Sequence, residues 1–362
     1  MDEYSKPEFD SKGNLTFITF NHIGYSRSGV YLDRNPNDFP LQIIQLTPKF
    51  SWYFTELWRQ RKSLRDTNQV LVVLSPCSVL VPLLKFLTRN PIVLDAGWPL
   101  TDAEITKRKT FISGYRYLRA WLIDFLAFHS AKVTILESNA QKIHVSHKYL
   151  IPKSKLRVLF TGVNEKKFRQ QHNEQENRTL SKYENILKED FVLFRGKNNS
   201  ESGIENIVKL ADNVTSSYNF VILTNKIPND LKARENILFI TEYITDFEIS
   251  LLYRKCFLSL GQLSNSKRLD RTIPHKAFES GYFGTPYLTL KRNGIMEFLS
   301  GKTEAIFVDS LNLTSISKII EELHSDLNWQ NELKMNIKNR YSNIASQAEL
   351  KLKFFRILNT LN

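Results

Sequence analysis

Cysteine is almost absent: Cys77 and Cys256 are the two in a chain of 362 residues, far apart and without a Cys/His cluster around either. A disulfide scaffold and a structural zinc are thereby excluded, and a reducing compartment is expected. Three motifs that position phosphates or nucleophiles are missing as well. No G-x-G-x-x-G follows a strand-like run, no G-x-x-x-x-G-K-[ST] occurs, and there is no G-x-S-x-G. A dinucleotide fingerprint, a P-loop and a hydrolase elbow are therefore not expected. A clean membrane span is lacking too. The run VLVVLSPCSVLVPLLKFL has nearly the length, but Ser75, Pro76, Ser78, Pro82 and Lys85 interrupt it. It reads better as a buried strand, a Ser-Pro turn and a short helix. The opening residues, MDEYSKPEFD, are too acidic for a signal or transit peptide, so a cytoplasmic location is expected. His144 and His147 have no carboxylate or third ligand near them in sequence, and a solvated helical face explains them better than a metal site.

What the chain does have is positive charge. It carries 50 Lys and Arg against 37 Asp and Glu, a net +13, with 24% charged and 12% aromatic residues. That composition belongs to a folded chain, long enough for two domains. The excess is not spread evenly. Residues 1–170 hold 25 basic and 14 acidic residues, net +11, whereas residues 171–362 hold 25 and 23, net +2. Nucleic acid, an anionic membrane and phosphorylated substrates are all partners that such a half could meet.

Short apolar runs recur between longer helical patterns. Six lie in the first half, at 15–20, 41–46, 70–75, 91–96, 132–138 and 156–162. Six more follow at 191–196, 218–224, 235–241, 256–261, 285–290 and 304–309. They are continuously apolar, as strands of a parallel sheet covered on both faces should be. Helical stretches at 201–212, 246–254, 274–283 and 311–324 separate several of them. Repeated β-α-β units of this kind predict an α/β chain with two Rossmann-like, doubly wound domains. Ligands of such domains bind at the carboxyl ends of the strands, which predicts a cleft between the two. The polar stretch from Arg169 to Asp190 is expected as the linker. Residues 347–361 carry an apolar stripe at 350, 354, 357, 358 and 361, the pattern of an amphipathic helix.

The richest segment is GQLSNSKRLDRTIPHKAFESGYFGTPYLTL, from Gly261 to Leu290. A strand ends at Gly261 and a loop bearing Lys267, Arg268 and Arg271 follows. A helix is expected to start near Pro274, with Lys276 in its first turn and Glu279 three residues later. Cations beside a helix N-terminus make a diphosphate site, and a carboxylate one turn on can accept from two ribose hydroxyls. A plain surface salt bridge between Lys276 and Glu279 accounts for the same spacing.

The segment IPHKAFESGYFGTPYLT resembles a signature of GT-B glycosyltransferases, particularly retaining family-four enzymes, at Pro274, Lys276, Phe278, Glu279, Gly284 and Pro286. LRVLFTGVNEKKF resembles the strand that closes the family's N-terminal domain. NILFITEYITDFEISLLYRKCFLSL and IMEFLSGKTEAIFVDSLNLTSISKIIEEL resemble two further segments, in the family's order. The resemblance spans residues 156–345. It implies an acceptor-side domain over residues 1–170, joined by a terminal helix over 346–362, and a donor-binding domain over 185–345. It also implies that Glu279 binds the donor ribose and that Lys276 lies near the diphosphate. Arg195 fits the basic residue that the family places at its first strand end, with Gly196 in the same turn. Ser202 stands where a lysine is common, so Lys197 is expected to substitute. Arg271 stands where many members have an acid, and a phosphate contact is expected of it instead. Tyr243, in the loop 241–244, would lie at the base. No cofactor and no metal ion are expected, because basic side chains and a helix N-terminus can stabilise the leaving diphosphate.

In the first half, NHIGYSRSG follows the first strand. Its Gly24 could admit a diphosphate or sugar close to the backbone, or belong to a plain exposed loop. His22 is a candidate contact at the strand end. Asp95, at the end of a strand in IVLDAGWP, could serve as a base or place a sugar, although a structural turn or cap role explains it better. Two stretches mix aromatics with cations, SWYFTELWRQRKSLR and KRKTFISGYRYLRAWLIDFLAF. They suit an interfacial membrane surface, or core helices with basic edges; nucleic acid is not the expected partner. The resulting expectation is transfer from a nucleotide sugar to a lipid-linked or oligosaccharide acceptor in cell-surface polysaccharide or glycolipid assembly, at the inner face of the membrane. A non-catalytic subunit of the same fold, or an epimerase or hydrolase on it, is the alternative, and the departures at Arg271 and Ser202 favour the former.

Overall fold

The computed structural model describes residues 14–21, 27–32, 41–65, 69–105, 111–169, 179–214, 218–228, 234–301 and 303–361. The chain divides into two compact units, residues 1–161 with 347–362, and residues 162–346. Each is built on a six-stranded sheet whose strands are all parallel. All twelve apolar runs form strands.

In the first unit the strands are β1 (Asn14–Thr19), β2 (Leu41–Gln45), β3 (Gln69–Leu74), β4 (Ile92–Gly97), β5 (Val133–Leu136) and β6 (Leu156–Val158). Their order in the sheet is β2-β1-β3-β4-β5-β6. The helices are α1 (Ser28–Tyr31), α2 (Phe50–Arg59), α3 (Leu80–Leu87), α4 (Leu100–Ile105), α5 (Phe111–Ser130) and α6 (Asn139–Tyr149), with α15 (Gln347–Asn359) returning from the end of the chain. Residues alternate between the two sheet faces, so each strand supplies two cores. Ile18, Leu71, Val73, Ile92 and Leu94 pack with Tyr53 and Leu57 of α2, Leu84 of α3 and Phe128 of α5. Leu15, Phe17, Val72 and Val93 pack on the other side with Tyr31 of α1 and with Leu350, Phe354 and Leu358 of α15. The terminal apolar stripe is thus buried against the first unit.

The second unit has β7 (Phe191–Arg195), β8 (Asn219–Leu223), β9 (Ile237–Ile240), β10 (Leu258–Leu260), β11 (Tyr287–Leu290) and β12 (Ile306–Val308), in the order β12-β11-β10-β7-β8-β9. Its helices are α7 (Glu165–Arg169), α8 (Glu184–Leu187), α9 (Ile204–Asp212), α10 (Asp246–Lys255), α11 (His275–Phe283), α12 (Asn293–Phe298), α13 (Leu313–Ser325) and α14 (Leu327–Ile344). The chain starts this sheet in the middle at β7, builds outward to β9, then returns to lay β10 on the other side of β7. The strand ends of β7 and β10 therefore flank a topological switch point, where loops diverge and leave room for a ligand.

Two boundaries differ from the sequence expectation. Pro274 precedes α11 as its cap and does not enter the first turn, because its ψ of 135° is extended. Residues 180–187 of the supposed linker form two short helical turns, and the division between units falls at Thr161 instead of near residue 170. Phe168 packs against Tyr282 and Phe283, and Tyr341 donates to Glu165 over 3.0 Å, which holds α7 to the second unit. Leu180 and Leu187 are buried against α10, while Glu248 accepts from the backbone N–H groups of Thr179 and Leu180 at 3.1 and 3.0 Å. Polar composition hid these two buried leucines.

Helix α15 closes one face of the first sheet, and Phe354 at its centre stacks on Tyr31 with ring centroids 4.2 Å apart. Phe354→Ala is expected to destabilise that unit by about 3–5 kcal/mol, the usual cost of emptying an aromatic site in a core. Hydrogen exchange would report it as faster uptake in β1 and β3, with β7 and β10 unchanged.

Candidate functional site

The switch point of the second unit gathers most of the expected residues. On β7, Phe191 and Leu193 point to the α10 face, Val192 and Phe194 to the α9 face. Alternation sends Arg195 to the α10 side, where its guanidinium pairs with Glu279 of α11. Glu279 is buried, and it takes two further hydrogen bonds. Tyr253 of α10 donates to Oε2 at 2.7 Å, and Nδ1 of His275 lies 3.0 Å from Oε1. Burial would raise the Glu279 carboxyl, but the charges of Arg195 and His275 and these hydrogen bonds hold it well below the usual carboxylate range. Oε1 is fully used. Oε2 keeps one lone pair, and half-exposed His275 is the partner that a hydroxyl can most easily replace.

Lys276 does not pair with Glu279 in a surface salt bridge. It is buried, with Nζ 3.6 Å from the centroid of the Phe194 ring, a cation–π contact at the end of β7. Burial pushes its ammonium down to about 7, Glu279 opposing the shift and Arg195 adding to it. Gly196 makes this approach possible. A Cβ there would lie 3.1 Å from Lys276 Nζ and 3.2 Å from the Phe194 ring. The first turn of α11 thus presents a cation at the positive end of a helix dipole, beside the strand end.

Two loops flank the site and are tied to each other. Arg268 pairs with Glu201 at 2.7 Å, and Ser264 donates to the Glu201 carbonyl at 2.9 Å. Gly203 has φ of +69° and sits so close to the Leu263 carbonyl that a side chain would collide with it. Ser202 is a local structural residue, buried, its hydroxyl donating to the Asn199 carbonyl at 2.7 Å. Lys197 and Lys267 are exposed, and Arg271 is half-buried. Arg268 is thereby committed to the loop. Tyr243 stands fully out from its loop at 86% exposure.

In the first unit, Asp95 lies near the end of β4 on the face covered by α1 and α15. Its carboxylate is buried, 3.2 Å from the guanidinium of Arg27 and accepting from the Tyr31 hydroxyl. Arg27 is buried too, its side chain passing over Gly97, whose φ is +64°. This arrangement anchors the segment after β1 to the end of β4; Asp95 is neither a helix cap nor open to solvent. His22 and Gly24 lie outside the described residues. No group of three or more metal-ligating side chains occurs among the described residues.

Sequence reasoning missed Tyr253, His275 and Phe194 in the second unit, and Arg27 and Tyr31 in the first. His275 carried a signal, since it stands four residues before Glu279 on the same helix face. The others are joined by long-range contacts that spacing does not encode. Asp95→Ala is expected to cost about 3–5 kcal/mol, because it leaves the Arg27 guanidinium buried without its counter-charge. Pairing it with Arg27→Met should recover most of that loss in thermal unfolding.

No family model and no curated protein matches the sequence. Solved structures do match in shape. HepE from Anabaena in complex with UDP-glucose aligns with a TM-score of 0.72, covering 96% of this chain and 99% of that one at 12% identity. Sucrose-phosphate synthase from Thermosynechococcus elongatus gives 0.68, with 96% and 99% coverage at 12% identity. WaaG, a glycosyltransferase involved in lipopolysaccharide biosynthesis, gives 0.64, with 95% and 99% coverage at 14% identity. Identities this low establish architecture: the chain has the two-domain, Rossmann-like fold of the GT-B glycosyltransferases.

Proposed function

We propose that this chain is a glycosyltransferase that takes its sugar from a nucleoside-diphosphate donor bound at the switch point of the second unit. The observation that carries the proposal is the start of α11, where buried Lys276 lies over Phe194 next to Gly196 and buried Glu279, one turn on, is held by Arg195. Lys276 and the helix N-terminus would meet the diphosphate, and Glu279 the ribose. Arg195 holds Glu279 ionised and in place. Gly196 lets the backbone approach, Tyr243 lies at the rim for the base, and Lys197 and Arg271 supply further charge. HepE has been crystallised with UDP and with UDP-glucose, which favours a uracil nucleotide among the possible donors.

In this reading transfer is driven by stabilising the leaving diphosphate, whose charge grows as the glycosidic bond breaks. The cations of the chain perform that task, so no divalent ion is required. Asp95 acts as an anchor for Arg27 and Tyr31, on the acceptor side. The basic first half suits a lipid-linked or oligosaccharide acceptor in cell-surface polysaccharide or glycolipid assembly, at the cytoplasmic face of a membrane.

Lys276 supplies a test with a definite sign. Its ammonium is lowered to about 7 by burial in the unliganded site. A diphosphate favours the charged form, so binding takes up a proton and weakens as pH rises above 7. Calorimetric titration with UDP is expected to show a dissociation constant that climbs from pH 7 to pH 9, with a heat that depends on the buffer. Lys276→Met should bind about 10–100-fold more weakly at pH 7, the loss of a charged hydrogen bond, and should lose the pH dependence. EDTA should change neither result. Absence of binding to UDP-, GDP- and ADP-sugars alike would refute the donor site and favour a non-catalytic subunit.

A further inference from the structure

We propose that the outer face formed by α2, α3 and α5 of the first unit is a docking surface for an anionic lipid membrane. The three helices cover the same face of the sheet, since Tyr53 and Leu57, Leu84 and Leu87, and Ala127 and Phe128 share one core. Their inward sides are thus accounted for, which makes the composition of their outward sides informative. Trp52, Phe54 and Trp58 on α2, Phe86 on α3, and Tyr115, Leu118, Leu122 and Leu126 on α5 are all exposed. Phe86 is 86% exposed and Trp52 is 62% exposed, on helices whose inner sides already share one core.

Charge selects the partner. Arg59, Lys62, Lys85, Arg89, Arg116 and Arg119 are exposed on these helices or in the turns that follow them. Among the described residues of the three helices the acids are Glu56 and Asp124, and Asp124 is fully buried. Arg61 lies over the Trp58 ring at 4.9 Å, and Trp58 stacks on Phe54, so the cations and aromatics are interleaved. Indole and phenol rings flanked by arginines sit well at the headgroup level, and leucines reach the acyl boundary. A second copy of the chain fits poorly, because two such faces repel each other. Nucleic acid would engage the cations but give no use to Leu118, Leu122 and Leu126.

This surface lies within the first unit and does not depend on the donor-site proposal. The test is flotation of the full chain with vesicles of phosphatidylcholine alone and of phosphatidylcholine with phosphatidylglycerol. The expected result is recovery with the anionic vesicles only, reduced by salt. Arg116→Gln combined with Arg119→Gln should weaken binding more than tenfold, at about fivefold per cation. Trp52→Ala combined with Phe86→Ser should weaken it comparably while leaving UDP binding intact, which also shows that the variants fold. Equal recovery with both vesicle types, or unchanged binding in both double variants, would overturn the proposal. So would a concentration-dependent rise in molar mass without lipid that the same substitutions abolish, since that would identify a second copy as the occupant. UDP titration on the same samples reports separately on the donor site.

Discussion

The second unit depends on one buried carboxylate. An ionised Glu279 in the interior would lose several kcal/mol of hydration without compensation. Arg195, Tyr253 and His275 supply that compensation from a strand end, from α10 and from the first turn of its own helix. Because three elements converge on it, the side chain fixes where α11 begins relative to β7. That placement turns Lys276, one residue after His275, away from Glu279 and onto the Phe194 ring. The chemistry proposed for the site follows from this division. One side chain of the turn is a carboxylate held ionised by its partners, and the other is an amine held near neutrality by burial.

The first unit uses a related device with a different outcome. Asp95 is also a buried acid at a strand end, and Arg27 and Tyr31 also engage it. Here the partners come from the segment after β1, so the network fixes that segment against the end of β4. Tyr31 continues the contact into Phe354 of α15, which couples the anchor to the helix that returns from the far end of the chain. A glycine accompanies each network. Gly97 supplies the positive φ beneath Arg27, and Gly196 the close approach of Lys276.

The architecture was legible because parallel strands buried on both faces must be apolar along their whole length, and all twelve such runs became strands. The terminal stripe at Leu350, Phe354 and Leu358 was legible because a helix buried on one face repeats its apolar residues every three to four positions. Ion-pair partners were not. Spacing pointed to Lys276 with Glu279, yet Arg195 won, because a residue 84 positions away lies at the adjoining strand end. Spacing cannot see that burial separates two neighbours in one turn. The polar stretch before Asp190 misled in the opposite sense, since Leu180 and Leu187 suffice to dock residues 180–187.

The most direct measurement of the central claim is hydrogen exchange of the full chain with and without UDP. Protection should appear in residues 195–203 and 262–279, at the ends of β7 and β10 and the start of α11, and be lost in Lys276→Met. Protection confined to other parts of the chain, or none at saturating UDP, would contradict the assignment of that switch point as the donor site.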